Sequence, residues 1–278
     1  MASKAVLITG CSTGIGRKTA EHLAGRGWTV YATARRPETL ADLEAKGCRT
    51  LALDVTDEAS MRAAVEAVEQ AEGAVGVLVN NAGYSQSGAV EEVAMDQVRR
   101  QFDTNVFGLL RMCQLALPGM RKQGWGKIVN VSSMGGRLVF PGGGIYHATK
   151  YSVEAISDAM RWEVRGFGVD VMLIEPGLIK TEFGETAAHS VTEATPDDGP
   201  YADFNRQVAA TTVGAYEGRG ATGPEAVAKR IEKAISGRRP RTRYPITAGA
   251  RILLGVRAVL PDRGWDALMR TQFKRPSG

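Results

Sequence analysis

The segment "GIYHATKYSVEAISD" (144–158) carries two side chains whose types and spacing suit acid–base chemistry. Tyr146 and Lys150 stand four residues apart. On a helix such positions share one face, one turn apart. A tyrosine phenol has an ordinary pKa of about 10 and transfers its proton poorly near neutrality. A cation within a few ångströms favours the phenolate and brings that transfer within reach. Lys150 can supply the cation. Ser133 stands thirteen residues before the tyrosine, at the end of "GKIVNVSS" (126–133), and can hold a substrate oxygen. Together they make a site that moves a proton while hydride moves. Taken alone, the Tyr-x-x-x-Lys spacing also arises by chance in helices with no chemical role.

A second constellation lies near the N-terminus. "TGCSTGIG" (9–16) places Gly10, Gly14 and Gly16 between an apolar run and a helical pattern. Such a turn lets bare backbone approach a pyrophosphate at a helix N-terminus, where free N–H groups and the dipole favour anions. The spacing differs from G-x-G-x-x-G, and an ordinary tight turn is the alternative. About 20 residues further on, an acidic residue suits the ribose of NAD and an arginine suits the 2′-phosphate of NADP. Arg35 and Arg36 stand there, in "ATARRP". A guanidinium donates to phosphate as a bidentate fork. Asp54 follows "LAL", and "NNAG" (80–83) follows "GVLV". Both fall at strand ends, where the ligand crevice of an open parallel sheet lies. Those asparagines either satisfy loop backbone or face a cofactor.

The elements that must position these groups alternate along the chain. Apolar runs at 5–10, 29–34, 49–55, 75–83, 126–133 and 168–177 precede helical patterns near 14–26, 37–46, 57–71, 91–120 and the Tyr146 helix. Strands apolar throughout point to a parallel sheet buried on both faces. The expectation is one α/β domain, a doubly wound parallel sheet of Rossmann type with right-handed crossovers. Residues 184–217 are small and polar, which suggests a mobile, helical substrate lid with one amphipathic helix carried by Tyr201, Phe204 and Val208. Thr222 and Glu225 form a capping-box pattern, with Pro224 in the first turn of a helix to about Ser236. "RTRYPIT" then reads as a last strand and "GARILLGVRAVL" as a terminal helix.

Composition narrows the function classes. The chain has 278 residues, 44% of them hydrophobic, enough for one large core. Cys11, Cys48 and Cys113 match no zinc or disulfide pattern, which suits a reducing cytoplasm, and no metal is expected. No apolar run approaches the roughly 18–20 residues of a membrane span. The net charge of +5 belongs to the C-terminal extension. Residues 238–278 hold ten Lys/Arg and two Asp/Glu, leaving 25 basic and 28 acidic residues elsewhere. The one tight basic run is "RRPRTR" (238–243). It reads as a solvated surface, with weak membrane-surface contact as the alternative and no nucleic-acid partner.

"TGCSTGIG", "NNAG", Ser133, "YHATK" and "PGLIKT" occur in that order. With them the chain resembles the short-chain dehydrogenase/reductase family, in its T-G-x-x-x-G-x-G and Y-x-x-x-K branch. The resemblance is strong over about 4–182 and looser beyond. It implies that Ser133, Tyr146 and Lys150 are the catalytic serine, tyrosine and lysine. Asn105, in "QFDTNVFG", matches the asparagine that maintains a water relay to the lysine. Gly10, Gly14 and Gly16 would contact the pyrophosphate, with Ser12, Thr13 and Ile15 completing the turn. Asp54 and Val55 would meet the adenine edge, and Asn81, Ala82 and Gly83 the adenosine side. Pro176, Gly177 and Thr181 would hold the nicotinamide carboxamide, and Lys150 its ribose. Arg35 falls where NADP-preferring hydroxysteroid dehydrogenases hold the phosphate, with Ser12 as assistant. Thr149 stands where serine is commoner.

The resulting expectation is an NADP(H)-dependent oxidoreductase for a carbonyl/alcohol pair. Tyr84, Met134, Phe140, Leu178, Phe183 and the 184–217 segment would wall an apolar pocket for a ketone or aldehyde of steroid, retinoid or polyketide type, with Ser133 on the substrate oxygen. Alternatives are an NADP(H) sensor without turnover and a peripheral membrane reductase. His147 reads as a neighbour of the tyrosine, Cys11 as a spacer and Glu154 as a solvent-facing glutamate, with pairing to Lys150 at i+4, which would compete with the catalytic reading, as the alternative. Ala148, Ser152, Ala155 and Ala159 form a small-residue stripe, through which the family commonly dimerises; a homodimer or homotetramer is expected.

Overall fold

The computed structural model describes residues 2–194, 198–218 and 220–276, with the side chains of 193 and 194 undescribed. Seven strands form one parallel sheet: β1 (Val6–Ile8), β2 (Val30–Ala34), β3 (Arg49–Ala52), β4 (Val77–Asn80), β5 (Gly126–Val131), β6 (Val169–Glu175) and β7 (Arg243–Pro245). Their order across the sheet is β3-β2-β1-β4-β5-β6-β7. The order reverses beside β1, which opens a crevice between the carboxyl ends of β1 and β4. This is the doubly wound Rossmann-type arrangement of a single domain.

The apolar strands fill both faces by alternation. Val6, Ile8, Val77, Val79, Val129, Met172 and Ile174 enter one core. Leu7, Leu78, Ile128, Val171 and Leu173 enter the other. The first core is covered by α1 (Gly14–Ala24) and, near β2, by α2 (Ala41–Ala45). The second is covered by α3 (Glu58–Glu72), α5 (Leu109–Gln123) and α6 (Gly144–Val164), with α4 (Met95–Phe102) leading into α5.

The long helix expected at 91–120 starts later and changes pitch midway. Between α4 and α5, Asp103–Gly108 makes a π-helical turn. Gly108 there touches the backbone of Val55, and a side chain would collide with it. Such turns often mark functional sites, and this one carries Asn105.

The segment expected as a lid forms two helices rather than one, α7 (Phe183–Ala194) and α8 (Ala202–Glu217). Residues 195–197 of that segment lie outside the described residues. Val208 packs with Val191 and Phe273, and Phe204 joins them. Tyr201 precedes α8, and its hydroxyl donates to Glu91 at 2.7 Å. It therefore carries no apolar helix face.

The capping box does not form. The helix α9 (Pro224–Ser236) is preceded by Gly223, with no side-chain cap. Thr222 instead spends its backbone on Leu178 and Lys180, at 3.1 and 2.9 Å. Val227, Ile231 and Ile235 are buried as the spacing predicts. The chain ends in α10 (Ala248–Val259) and α11 (Asp262–Arg270); Ser277 and Gly278 of the C-terminal extension lie outside the described residues.

Candidate active site

A cavity of about 720 Å³ runs along the carboxyl ends of the strands, from Arg35 at one end to Tyr146 at the other. That volume suits a small organic ligand. Gly10, Ser12, Thr13, Gly14, Ile15, Asp54, Val55, Asn81, Ala82, Gly83, Pro176, Gly177 and Thr181 all line it.

The glycine turn has the shape a phosphate needs. Gly10 and Gly14 have φ of +72° and +60°, a region costly for side-chain-bearing residues. A Cβ on Gly10 would lie 2.9 Å from the Ala82 backbone, and one on Gly16 would strike the Gly10 carbonyl. Thr13, at the N-cap of α1, makes no side-chain cap. The first N–H groups of α1 therefore have no side-chain cap, as an anion site requires. Asn81 does hold this turn, settling that asparagine's local role: its Nδ2 donates to the carbonyls of Thr9 and Gly10, both at 2.9 Å. Arg17, not singled out in sequence, braces the turn by donating to the Ser12 carbonyl at 3.0 Å while pairing with Asp42.

Arg35 and Arg36 part company. Arg35 is exposed on the cavity, and its guanidinium has no partner among the described residues. Arg36 lies off the cavity wall, and its carbonyl accepts from Thr39. Asp54 accepts from the Thr56 backbone and hydroxyl at 2.9 and 2.7 Å. The residues present fit a dinucleotide laid along this wall.

At the other end β5, α6 and the π turn converge. Ser133 ends the β5 segment and opens a short turn, Met134–Gly136; its hydroxyl accepts the Gly135 N–H at 3.0 Å. Tyr146 lies in the first turn of α6, beside Ser133. Burial pushes its phenol up to about 12, and the Ser133 hydroxyl pulls the other way. Lys150, one turn on, is buried; its Nζ donates to the Val131 carbonyl at 2.8 Å and lies 5.8 Å from the centre of the Tyr146 ring. Burial pushes the ammonium down to about 8, opposed by Glu154. Asn105 lies behind the wall rather than on it. It bonds Tyr84 and donates to the Thr149 hydroxyl at 3.1 Å. Thr149 in turn donates to the Tyr146 carbonyl at 2.7 Å.

The expected apolar wall divides. Tyr84 and Phe183 line the cavity, and the Phe183 and Tyr146 rings are 5.6 Å apart. Met134, Phe140 and Leu178 do not line it. They pack with Leu254, Trp265 and Met269 of α10 and α11. The 184–217 segment does reach the wall, with Tyr216 beside Phe183 and the polar Thr186 and Ser190; Gln86 joins them without a sequence signal.

His147 is more than a neighbour. Its Nε2 accepts the Phe140 N–H at 3.2 Å, so Nδ1 carries the proton donated to the Gly135 carbonyl at 3.0 Å. Burial pushes it down to about 4, so it clamps the 135–143 loop as a neutral ring. Glu154 is not solvent-facing: it is 6% exposed and paired with Arg243 at 2.9 Å. Cys11 is buried, as a spacer should be.

Comparison with known proteins agrees with this geometry. The short chain dehydrogenase family model matches residues 4–191. A 3-ketodihydrosphingosine reductase of Bacteroides thetaiotaomicron is 41% identical over 204 residues, covering 73% of each chain. An NADPH-dependent 3-dehydrocapnine reductase of Ornithobacterium rhinotracheale is 33% identical over 278 residues, covering 97% of each. The crystal structure of a short-chain dehydrogenase from Streptomyces avermitilis superposes with a TM-score of 0.81 at 35% identity, covering 98% of both chains. The glycine turn, the reversal point of the sheet and the Ser133–Tyr146–Lys150 cluster thus coincide in a chain that belongs to the short-chain dehydrogenase/reductase family of oxidoreductases.

Proposed function

We propose that this protein reduces a ketone or aldehyde with NADPH, Tyr146 acting as proton donor. The observation that carries this reading is the meeting of Ser133, Tyr146 and Lys150 at the inner end of the cavity. A bound NADPH supplies the hydride. Ser133 orients the carbonyl oxygen, and the phenol, kept protonated by burial, gives that oxygen its proton. Lys150 steadies the phenolate that remains and binds the nicotinamide ribose. Gly10 and Gly14 take the pyrophosphate, with Gly16 packed behind them against the Gly10 carbonyl rather than on the cavity, and Arg35 takes the 2′-phosphate. Two similar proteins are named as reductases of 3-keto or 3-dehydro compounds, one of them NADPH-dependent.

The cavity wall supports a substrate with an apolar body and a polar group near its carbonyl. Tyr84, Phe183 and Tyr216 face the body; Gln86, Thr186 and Ser190 lie beside them. The α7–α8 segment serves as lid over one catalytic domain. The stripe on α6 is exposed at Ala148, Ala155 and Ala159, with Tyr151 and Trp162 exposed nearby, which supports pairing with a second copy. Free cysteines suit the cytoplasm.

The test is NADPH oxidation, followed by absorbance, against a panel of long-chain, cyclic and aromatic carbonyls. Substrate-dependent oxidation is expected, strongest with amphipathic ketones. Tight NADPH binding with no turnover across the panel would sink the reading and favour a sensor.

A further inference from the structure

A buried charged cluster lies directly behind Lys150 and has no part in the chemistry above. Glu154 follows Lys150 by one turn of α6, on the same face. Its Oε2 takes the Nε of Arg243, from β7, at 2.9 Å. The same Nε lies 3.3 Å from Oε1 of Glu175, the last residue of β6. Arg243 also reaches Asp158 through Nη2 at 2.6 Å. Arg137 approaches Glu175 to 3.5 Å. Glu175 is fully buried, and neither of its oxygens takes a hydrogen bond among the described residues. Three carboxylates thus share one guanidinium and part of another. Close packing fixes the arrangement: a Cβ on Gly136 would come within 3.0 Å of Ser132 Oγ, Glu154 Cγ and the Lys150 carbonyl.

We propose that Glu154, anchored by Arg243, is a positioning residue whose buried carboxylate keeps Lys150 protonated at working pH. The charge balance follows from burial. An ammonium withdrawn from water loses its proton unless an anion is close. The titratable neighbours of Lys150 are Tyr146 and Glu154 on its own helix, with Asp158 beyond. Glu175, Arg137 and Arg243 face Glu154 from β6, the 134–137 turn and β7. Tyr146 is neutral when protonated, so Glu154, one turn from Lys150 on the same helix face, is the carboxylate that opposes loss of the Lys150 proton. Arg243 stops Glu154 from taking up a proton itself, which would end its effect. Burial raises the Glu154 carboxyl, while Ser132 and Arg243 oppose that rise. The cluster also gives one member of the basic run 238–243 a buried task in place of a solvated one.

The inference rests on the catalytic reading of Lys150, so one readout needs no turnover. Lysine labelled with ¹³C at Cε, with Lys150 assigned through Lys150→Arg, gives the Lys150 titration by NMR. In Glu154→Gln its midpoint should fall by about one pH unit, the low end for loss of a close charge. The alkaline limb of the kcat/KM profile should move down with it. Glu154→Asp should restore both. Glu175→Gln, a milder change in the same cluster, should move both in the same direction by less, and decides the matter if Glu154→Gln does not fold. A midpoint unchanged in every variant that folds overturns the proposal, whether or not a substrate has been found. A parent enzyme inert to every carbonyl, with the NMR shift present, overturns only the catalytic reading.

Discussion

Asn105 grips the peptide backbone of Tyr84 from both ends: its Oδ1 accepts the Tyr84 N–H at 3.1 Å, and its Nδ2 donates to the Tyr84 carbonyl at 2.9 Å. The π turn aims the side chain at that strand end. The grip holds Gly83 beside Lys150: a Cβ on Gly83 would lie 3.0 Å from Asn105 Oδ1 and 3.8 Å from Lys150 Nζ. One buried amide therefore joins α6, the β4 loop and the ammonium.

Asn105→Ala should leave the Tyr84 N–H without its partner, while the Tyr84 carbonyl keeps the Gln101 Nε2 at 3.0 Å. A stranded group of this kind costs about 1–3 kcal/mol. Thermal unfolding should shift down, and turnover should fall as Gly83 and Lys150 lose register. Lost turnover with an unchanged Tm would refute the clamp.

Tyr146→Phe removes one hydroxyl and keeps the ring packed against Phe183. The variant should fold and bind NADPH as the parent does. Acid–base catalysis is typically worth about 10²–10⁴-fold, so turnover should drop by that much. Lys150→Ala should lose turnover and cofactor affinity together. Fluorescence titration and absorbance assays separate the two effects. More than about a tenth of parental turnover in Tyr146→Phe would contradict the assignment, since the smallest expected loss is about 10².

Arg35→Asp exchanges an exposed cation for a ribose acceptor. Preference should move from NADPH toward NADH. The ratio of kcat/KM for the two cofactors reports it, and equal efficiency in the parent would already defeat the claim. Arg36→Asp should move the ratio less, because Arg36 lies off the cavity.

Glu175 should make stability depend on pH. Burial pushes its carboxyl up to about 7 from an ordinary 4.5. A raised folded-state value means that the native chain holds the proton longer than the unfolded one. The contribution is complete below the unfolded value and fades as pH rises through 7. Glu175→Gln cannot ionise. Between pH 4 and pH 8 its stability relative to the parent should improve, by up to about 3 kcal/mol. Urea unfolding at the two pH values measures the difference, and a constant gap would exclude a buried, titrating Glu175.

The sequence by itself determined the sheet and the chemical ends of the cavity. Continuous apolar runs such as Val6–Ile8 bury both faces of a strand, so they mark a parallel sheet wherever they occur. Gly10, Gly14 and Gly16 mark a turn that only bare backbone can make, and Tyr146 and Lys150 share a face through helix periodicity alone. These signals are local, set by sterics and spacing within a few residues. What surrounds the site was decided by the tertiary structure. Met134, Phe140 and Leu178 are apolar enough for a substrate wall, but α10 and α11 claim them, more than 70 residues further along the chain. Glu154 shares the Lys150 face of its helix by spacing, but its partner Arg243 arrives only with β7. Tyr216 reaches Phe183 only because α7 and α8 fold back together. Competition for a buried partner depends on every segment that arrives there, and no local pattern in the chain encodes it.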